Sequence, residues 1–552
     1  MKNIGAKIKY LLRLHLVLLL VASCLAQAAA DDADFTVPWR YATALNLEPV
    51  MVSLPVFERE SEFINLRLDN DLKQPGTEHE ESGQAGNATV YMLSAVIALV
   101  LAYTLIDYLF SIGRLSAAAI YVSVKVKFII AFTLAIIWTA LSIYLARYWY
   151  DDLSGHIGAG LAALLILGIA IIPGFMNAFL LSSLIMDRRP ERVKVTEYPP
   201  LTILIAAYNE AASIAKTIHS IELQHYPAAL EVIVIDDGSS DATVDVVNKE
   251  MARYPWLELI HQKENGGKAR ALNQGLAVAS HGLIVTLDAD SCLHQDALQK
   301  IVERFFGDPL NTRAVAGTVL VQNSRASWIA GAQEWEYFHG ISAMKRVQSL
   351  FQGTLVAQGA FSLYEKQTLI EVGGWPDCVG EDIVLTWALL NRGYRVGHSE
   401  DACVFTSVPT TLKQFMRQRR RWSRGMIEAF KKHPGILFTP RLTTFFIYWD
   451  LLLPLLDFVF TVFFIPGLML ALVGYFWIVG PMTLTLLPIG MAMNYTMYFF
   501  GKKMFDKGRL HVRANMEGFL IYAIGYNLIL QPVCLLGYVS EFINLKRSWG
   551  TK

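Results

Sequence analysis

Long apolar stretches occupy both halves of the chain and flank a middle region in which short apolar runs alternate with polar segments. Before residue 195 the apolar stretches are Val90–Phe110, Phe128–Leu145 and Ile157–Ile185. Each can cross a hydrocarbon core of about 30 Å as a helix that rises about 1.5 Å per residue. The pattern therefore predicts three transmembrane helices over residues 89–186.

Further apolar stretches follow residue 440 and predict transmembrane or interfacial helices over residues 441–545. They are Thr443–Phe464, Gly467–Ile478, Met482–Phe500 and Phe519–Val539. Pro454, Pro466 and Pro481 are expected to break these stretches into shorter helices. Because basic residues flank both sides of the last stretch, the positive-inside rule fixes neither the number of spans nor the side of the carboxyl terminus.

The middle region, residues 195–440, has the pattern of an α/β domain. The β-branched runs Leu201–Ile205, Val232–Ile235 and Leu283–Leu287 predict buried strands. Stretches of helical composition separate them, roughly Ala211–Leu223, Ala242–Tyr254 and Ala269–Ala279. Such alternation predicts a doubly wound, mostly parallel sheet. Since ligands bind beyond the carboxyl ends of the strands of such sheets, the chemistry is expected there.

The amino terminus predicts export of a short segment. Residues 1–30 combine a basic start, an apolar run and small residues, as in a secretory signal peptide or an uncleaved anchor helix. Residues 31–88 are acidic, rich in turn residues and expected outside the cytoplasm. Basic residues between the first and second spans and after the third place the domain at 195–440 in the cytoplasm. We therefore expect a multi-pass membrane protein whose middle domain faces the cytoplasm.

Composition agrees with several membrane spans beside a water-soluble domain. Of the 552 residues, 54% are hydrophobic and 17% are charged, against about a quarter charged in soluble proteins. The formal net charge of +0 argues against a nucleic-acid partner, which would require a basic surface. The apolar surplus excludes disorder as the dominant state. The five widely spaced cysteines predict neither a zinc site nor a disulfide framework.

Polar or acidic clusters follow the three predicted strands. They are Ala207-Tyr208-Asn209-Glu210, Asp236-Asp237-Gly238-Ser239 and Asp288-Ala289-Asp290. Any one of them alone could be a solvated turn, but three successive strand ends converge on one crevice. Two carboxylates separated by one residue can bind a divalent cation that bridges a diphosphate, and Mg²⁺ or Mn²⁺ prefers such oxygen ligands.

Three later motifs are ambiguous when taken singly. Asn265-Gly266-Gly267-Lys268 suits either an ordinary loop or contact with phosphate. Gly380-Glu381-Asp382 could simply start a helix. The segment Gln418-Arg419-Arg420-Arg421-Trp422 belongs to a basic helix whose arginines could bind anionic lipid headgroups, and we expect several of them to do so. Tryptophan among guanidinium groups also suits a sugar diphosphate, because the indole offers an apolar face and the cations bind phosphate.

Taken in order, these motifs resemble the signature of processive family 2 glycosyltransferases. Its elements here are Asp236/Asp237, Asp288-x-Asp290, Glu381-Asp382 and Gln418-x-x-Arg421-Trp422. The family includes cellulose, hyaluronan, chitin and poly-β-1,6-N-acetylglucosamine synthases, and the bacterial enzymes of the last kind are the most similar. Two features depart from the pattern. Gly380 stands where many cellulose and poly-N-acetylglucosamine synthases have threonine and where hyaluronan and chitin synthases have glycine. The segment 31–88 is foreign to the pattern.

The resemblance implies a cytoplasmic domain of the GT-A type, inserted between membrane helices, with a UDP-sugar donor. On the donor side, Tyr208 and Glu210 with Asp236 or Asp237 would hold uridine and ribose. Asp290, with Asp288 close by, would hold Mg²⁺ or Mn²⁺ against the diphosphate. Lys268 would contact phosphate.

On the acceptor side, the resemblance implies inversion at the anomeric carbon and a β-linked product. Asp382 would be the general base, and Glu381 beside it would raise its pKa by like-charge repulsion. Gln418 and Arg421 would contact the diphosphate or the acceptor, and Trp422 would stack on the terminal sugar. The segment Gln358-Gly359-Ala360 resembles one that lines the acceptor site.

The family also implies that the flanking helices form a channel for the growing polysaccharide, although they could merely anchor the enzyme. The side chains expected along such a channel are Tyr448, Trp449, Asp450, Asp457 and Phe458. UDP-N-acetylglucosamine is the favoured donor and UDP-glucose the alternative. Two further readings are a non-processive transferase acting on a lipid or other carrier and an inactive membrane receptor or scaffold. The lipid bilayer, and an accessory membrane subunit or export proteins, complete the expected partners.

Overall fold

The computed structural model describes residues 122–187, 195–480 and 515–545, together with individual positions between 483 and 505. The predicted signal or anchor, the exported segment and the first predicted span, Val90–Phe110, lie outside the described residues. So does most of the stretch Met482–Phe500.

Two long apolar helices precede the α/β domain: α1 (Val124–Ile157) and α2 (Ala159–Ile185). Ser123 caps α1 by accepting a hydrogen bond from the Val126 amide at 3.3 Å. The helix runs past the predicted end at Leu145, because helical hydrogen bonding continues through the more polar turns that follow. It ends at Gly158, whose φ of +83° is a left-handed conformation that favours glycine. Gly158 therefore separates α1 from α2.

An eight-stranded mixed sheet forms the centre of the domain, with the order β3-β2-β1-β4-β7-β6-β8-β5. The strands are β1 (Leu201–Ala207), β2 (Leu230–Asp236), β3 (Leu257–His261), β4 (Leu283–Leu287), β5 (Ser291–Leu293), β6 (Thr312–Val321), β7 (Phe361–Glu365) and β8 (Arg395–Thr406). The pairs β2–β3, β1–β2, β1–β4 and β6–β8 are parallel. The pairs β4–β7, β6–β7 and β5–β8 are antiparallel. The predicted mostly parallel α/β sheet is therefore confirmed.

Helices cover both faces of the sheet because successive residues of the buried strands point to opposite sides. They are α3 (Ile214–Glu222), α4 (Thr243–Met251), α5 (Lys268–Val278), α6 (Ala297–Gly307), α7 (Trp328–Glu336), α8 (Met344–Leu350), α9 (Lys366–Val372), α10 (Glu381–Asn391) and α11 (Leu412–Lys432). A π-helical turn, Tyr337–Ala343, joins α7 to α8. On β1, Leu204 packs into the cluster that contains α5, whereas Ile203 packs into the one that contains α3. The three predicted strands and the helices after them are all present.

The carboxyl-terminal part contains α12 (Leu442–Leu472) and the bent pair α13 (Met516–Ile524) and α14 (Tyr526–Phe542), whose axes differ by 53°. The breaks expected at Pro454 and Pro466 are wrong: Pro454 lies inside the helix, which passes through a π-helical turn at Phe460–Phe464 and continues to Leu472. Within the described ranges, α1, α2 and α12 are long and apolar enough to cross a membrane, and the bent pair would make a fourth span.

Candidate active site

Two acidic residues at the end of β2 bond to the end of β3 and to the loop that follows it. Asp237 accepts hydrogen bonds from the amides of Gly266 and Gly267, each at 2.8 Å. Burial raises the pKa of Asp237 above its ordinary value, although these two amides act in the opposite direction. Asp236 is fully buried and contacts His261 Nδ1 at 2.8 Å. Asp237 thus fixes the loop at 265–267, which leads directly into α5, while Asp236 is bonded to the end of β3.

The loop after β1 forms the neighbouring wall. Asn209 has a φ of +56° and its amide donates to Ser239 Oγ at 2.9 Å, which joins this loop to the one after β2. The Glu210 amide donates to Thr243 Oγ1 at 2.8 Å, and its carboxylate accepts from Ser213 Oγ at 2.6 Å. The ring of Tyr208 is half exposed beside them. The predicted nucleoside residues therefore lie on two bonded loops at the same edge of the sheet.

Lys268, at the first position of α5, connects the donor-side and acceptor-side motifs. Its ammonium group makes an ion pair with Asp288 and lies 4.0 Å from Glu381. Although burial lowers it, the pKa of Lys268 is raised above its ordinary value by these carboxylates. A side chain at Gly359 would begin 2.6 Å from the same ammonium group. Residues from four separate chain segments thus meet at Lys268.

The acidic pair lies in the first turn of α10. Asp382 Oδ2 accepts a hydrogen bond from the Gly359 amide at 3.5 Å. Burial raises the pKa of Glu381 above its ordinary value and the charge of Asp382 raises it further, while Lys268 and Arg421 act in the opposite direction. Like-charge repulsion within the pair therefore acts on Glu381, which is the more buried of the two residues.

Gly380 is required by a close contact between the acidic turn and α11. A Cβ atom at this position would lie 2.5 Å from the Cα atom of Gly425. The Gly380 amide also donates to Glu428 Oε2, on the same helix, at 3.0 Å. Threonine, which many of the resembled synthases have here, would not fit without a shift of α11. The departure noted in the sequence thus has a local steric reason.

Helix α11 presents Trp422 and Arg421 towards the site. The Trp422 side chain is 41% exposed, and its ring centroid lies 6.3 Å from that of Tyr337. Arg421 is close enough to Glu381 for its charge to lower the pKa of that carboxyl group. Gln418 is turned towards its neighbour: its Oε1 accepts a hydrogen bond from Arg419 at 2.6 Å.

Arg419, which sequence reasoning did not select, supports Trp422 from behind. Its guanidinium carbon lies 4.0 Å from the Trp422 ring centroid, and the group makes an ion pair with Glu336 and a 3.3 Å hydrogen bond to Tyr526 Oη. Only 2% of Arg419 is exposed. A signal was present in the sequence, because Phe415, Arg419 and Trp422 follow at the i, i+4, i+7 spacing of one helix face.

The expectation that several arginines of α11 bind lipid headgroups stays a prediction, but three of these arginines have partners within the protein. Arg424 pairs with Glu541 at 3.1 Å, and Arg420 donates to Ser540 Oγ at 2.7 Å. These partners belong to α14, and Arg419 is buried as described above. The basic face of α11 therefore binds the carboxyl-terminal helix.

Asp290 lies on the side of the site that faces Trp422. Its Oδ1 accepts from Thr406 Oγ1 at 3.4 Å. Burial raises the pKa of Tyr337 to about 12; Arg419 acts against this shift, while Glu336 and Asp290 contribute to it. Tyr337, another residue not selected from sequence, thus lies within electrostatic range of Asp290 and in ring contact with Trp422.

The donor set suits a metal only in combination with substrate. Among the described residues, no group of three or more His, Cys, Asp or Glu side chains is placed to hold a metal ion. Asp288 already pairs with Lys268, so Asp290 is the principal carboxylate for a cation. This fits Mg²⁺ or Mn²⁺, since Mg²⁺ commonly binds one or two carboxylates and completes its shell with substrate phosphates and water.

Comparisons with known proteins agree with this geometry. Residues 202–373 match the family model described as "Glycosyl transferase family 2". Poly-beta-1,6-N-acetyl-D-glucosamine synthase of Staphylococcus aureus (strain COL) is 35% identical over 241 residues, which cover 44% of this chain and 57% of the relative. The synthase of the same name from Staphylococcus epidermidis is 34% identical over 226 residues, which cover 41% and 54%.

A solved structure, a mannosyltransferase from Pyrobaculum calidifontis in complex with GDP-Man and Mn²⁺, aligns at a TM-score of 0.48 and 19% identity, over 77% of this chain and 100% of that one. The chain spans little more than half the length of the curated relatives described above. Residues 202–373 therefore match family 2 glycosyltransferases, and the chain is similar over 241 residues to a polysaccharide synthase.

Proposed function

We propose that the protein is a membrane-embedded, inverting and processive glycosyltransferase that polymerises a sugar from a UDP-sugar into a β-linked exopolysaccharide. UDP-N-acetylglucosamine is the favoured donor because the curated relatives are named as synthases of poly-N-acetylglucosamine. The observation that carries the proposal is the meeting of Lys268, Asp288, Glu381 and the Gly359–Asp382 contact at one place. It joins the predicted donor and acceptor motifs in a single site.

The donor binds between the loops after β1 and β2 and the start of α5. The half-exposed ring of Tyr208 offers a stacking face for uracil. Asp237 holds the loop at 265–267 so that the amino-terminal end of α5, which attracts anions, points towards the diphosphate. Lys268 exchanges part of its contact with Asp288 for a phosphate oxygen when the donor arrives. Mg²⁺ or Mn²⁺ bound at Asp290 would neutralise the charge that grows on the leaving UDP.

The acceptor hydroxyl is deprotonated by Asp382. Of the acidic pair, Asp382 is the less buried member and the one that contacts the Gly359 amide. As the acceptor oxygen bonds to C1 of the donor sugar, its proton passes to an Asp382 oxygen and the bond from C1 to the phosphate oxygen breaks. UDP leaves with the electron pair of that bond. Attack from the face opposite to the leaving group inverts the anomeric centre.

The terminal sugar of the acceptor stacks on Trp422. Arg419 covers one side of the indole at 4.0 Å, while 41% of the side chain stays exposed. An exposed indole face can bind the apolar face of a pyranose. The cation behind it fixes the ring by a cation–π contact, which costs the acceptor nothing on binding. A rigid platform of this kind suits an acceptor that must be repositioned after every addition.

Export of the polymer through the flanking helices is part of the proposal, with the domain in the cytoplasm of a bacterium. Two of the side chains expected along the channel, Tyr448 and Phe458, are exposed on α12. Two others are engaged within the protein: Trp449 belongs to the hydrophobic core, and Asp457 accepts a hydrogen bond from Tyr538 Oη at 2.9 Å. Tyr448 and Phe458 therefore stay candidates for lining the channel, whereas Trp449 packs into the hydrophobic core.

The decisive experiment reconstitutes the purified protein in lipid vesicles and supplies each radiolabelled nucleotide sugar with Mg²⁺ or Mn²⁺. We expect a long polymer from UDP-N-acetylglucosamine that a hydrolase specific for its linkage degrades, enclosed by the vesicle when the domain faces outwards. A glycolipid carrying one sugar would favour the non-processive transferase. Failure to release UDP from every donor would contradict the proposal and leave the scaffold reading.

A further inference from the structure

The buried hydroxyl of Thr386 joins two chain segments whose separation matters for the proposed transfer reaction. Thr386 lies on α10, one helical turn after Asp382, and is fully buried. It donates a hydrogen bond to the backbone carbonyl of Asp382 at 2.7 Å. It also accepts one from the amide of Ala357, a residue 29 positions away, at 2.9 Å.

The bond from Thr386 to the Asp382 carbonyl is common in helices, whereas the bond from the Ala357 amide links two distant segments. Serine and threonine side chains in helices often donate to the carbonyl four residues earlier. The bond from Ala357 instead ties α10 to the segment Val356–Gly359, whose last amide contacts the Asp382 carboxylate. Asp382 and this segment are therefore connected twice. One connection runs from the Asp382 carbonyl through the Thr386 hydroxyl to the Ala357 amide, and the other joins the Asp382 carboxylate to the Gly359 amide.

Two backbone carbonyls of the segment also accept hydrogen bonds from buried side chains. Tyr364 Oη donates to the Ala357 carbonyl at 2.9 Å, and Lys345 Nζ donates to the Val356 carbonyl at 2.8 Å. Gln358 Nε2 donates to the Gly317 carbonyl at 2.6 Å. Burial lowers the pKa of Lys345 to about 7, and Asp382 acts in the opposite direction, so the two groups are within electrostatic range. Little freedom is left for the segment to move relative to the base.

We infer that Thr386 is a positioning residue of the sugar transfer: its hydroxyl sets the separation between Asp382 and the acceptor-side segment Val356–Gly359, with Lys345 holding the same segment from the other side. The inference rests on the proposed function, because it assigns Asp382 to the acceptor hydroxyl. Neither Thr386 nor Lys345 belongs to the motifs that the sequence analysis selected.

The test is a pair of substitutions, one of which removes the hydroxyl of Thr386 and the other its methyl group. Thr386→Val keeps the shape of the side chain and removes both bonds, whereas Thr386→Ser keeps both bonds and removes a methyl group. Misplacement of reacting groups by an ångström can cost about 100-fold in rate, so we expect kcat of Thr386→Val to fall about 10- to 100-fold. The donor KM should change by less than about twofold, and Thr386→Ser should recover most of the rate.

The matched control is Thr368→Val. Thr368 is equally buried, and its hydroxyl bonds only within the first turn of α9, to Glu365. Its kcat should stay within about twofold of the original protein. The inference is overturned if Thr386→Val has a normal kcat, or if donor binding and kcat fall together.

A second pair decides the matter if Thr386→Val does not fold. Lys345→Met exchanges a buried ammonium group for an apolar side chain of similar length and removes the donor to the Val356 carbonyl, which lowers stability. We expect kcat to fall without loss of UDP binding, and Lys345→Arg to retain more activity than Lys345→Met. Equal and normal rates in both variants would overturn the inference. If the unsubstituted protein transfers no sugar at all, the proposed function fails instead.

Discussion

The functional side chains beside the two halves of the sheet differ in how far they are already bonded to the protein. In the half β3-β2-β1-β4, acidic side chains are already bonded to protein groups: Asp236 to His261, Asp237 to two amides and Asp288 to Lys268. On the side of β7-β6-β8-β5, Trp422 is exposed and its supporting cation, Arg419, is buried beneath it.

This difference fits the two proposed substrates. A nucleotide donor is the same in every cycle, so a site whose loops are fixed in advance reduces the ordering cost of binding. A growing polymer must bind and advance, so an open aromatic face that rests on rigid supports suits it better. Changes in the first half should therefore affect donor affinity, and changes in the second half should affect turnover and product length.

Loss of the base should have the largest effect. Asp382→Asn keeps the size of the side chain and the contact with the Gly359 amide, but it cannot take up a proton in the same way. Removal of a positioned base should lower the rate of UDP release by about 100-fold or more. UDP binding, measured by calorimetry, should persist because the donor loops are untouched. Polymer synthesis near the original rate would refute the assignment.

The contact between the acidic turn and α11 should be the next most sensitive feature. Gly380→Ala introduces an atom 2.5 Å from the Gly425 Cα atom. Overpacking of this kind typically destabilises by about 1–3 kcal/mol, so the melting temperature and kcat should fall together. Gly435→Ala, where an added Cβ meets nothing within 4 Å, is the control. Equal melting temperatures for the two variants would show that the backbone contact tolerates a side chain.

On the donor side, Asp237→Asn should weaken UDP binding. The substituted amide can accept from only one of the two glycine amides, which leaves the other N–H group without its acceptor. An unsatisfied buried donor costs about 1–3 kcal/mol, so the Kd for UDP should rise about tenfold or more. Turnover at saturating donor should change much less. Asp245→Asn, at an exposed position on α4, should leave both values unchanged. If Asp237→Asn lowered turnover and left the Kd for UDP unchanged, the assignment of the first half of the sheet to donor affinity would be wrong.

The smallest effect is expected at the acceptor platform. Trp422→Ala removes the stacking face, and aromatic contacts contribute about 0.5–1.5 kcal/mol beyond area burial. The product should become shorter on a sizing gel while UDP binding is retained. Trp422→Phe keeps a smaller ring and should give products of intermediate length. Unchanged length in the alanine variant would remove Trp422 from the acceptor site.

Sequence patterns predicted the first half of the sheet well. Strands β1, β2 and β4 are continuous apolar runs because parallel strands are buried on both faces. The second half was harder to predict, since β5 has only 3 residues and β6 pairs in parallel with β8 but antiparallel with β7. Such pairings depend on contacts between distant segments and leave no local period.

The same contrast applies to the site. The acidic strand ends and the tryptophan motif stand in short, recognisable segments. Arg419 is an ordinary member of a basic helix, and its partners lie far away in sequence: Tyr526 is 107 positions from it. In the sequence Thr386 is an ordinary helical threonine, and only the structure shows the hydrogen bond that it accepts from Ala357. Long-range hydrogen bonds of this kind become visible only in three dimensions.

The backbone contact between Gly380 and Gly425 has a mechanical consequence for the proposed reaction. No rotamer change can alter the separation of the acidic turn and α11, because the two meet without intervening side chains. Under the proposed function, Asp382 and Trp422 therefore keep a fixed separation throughout the cycle. The prediction is that the glycan itself slips forward by one sugar after each addition, before the next hydroxyl reaches Asp382.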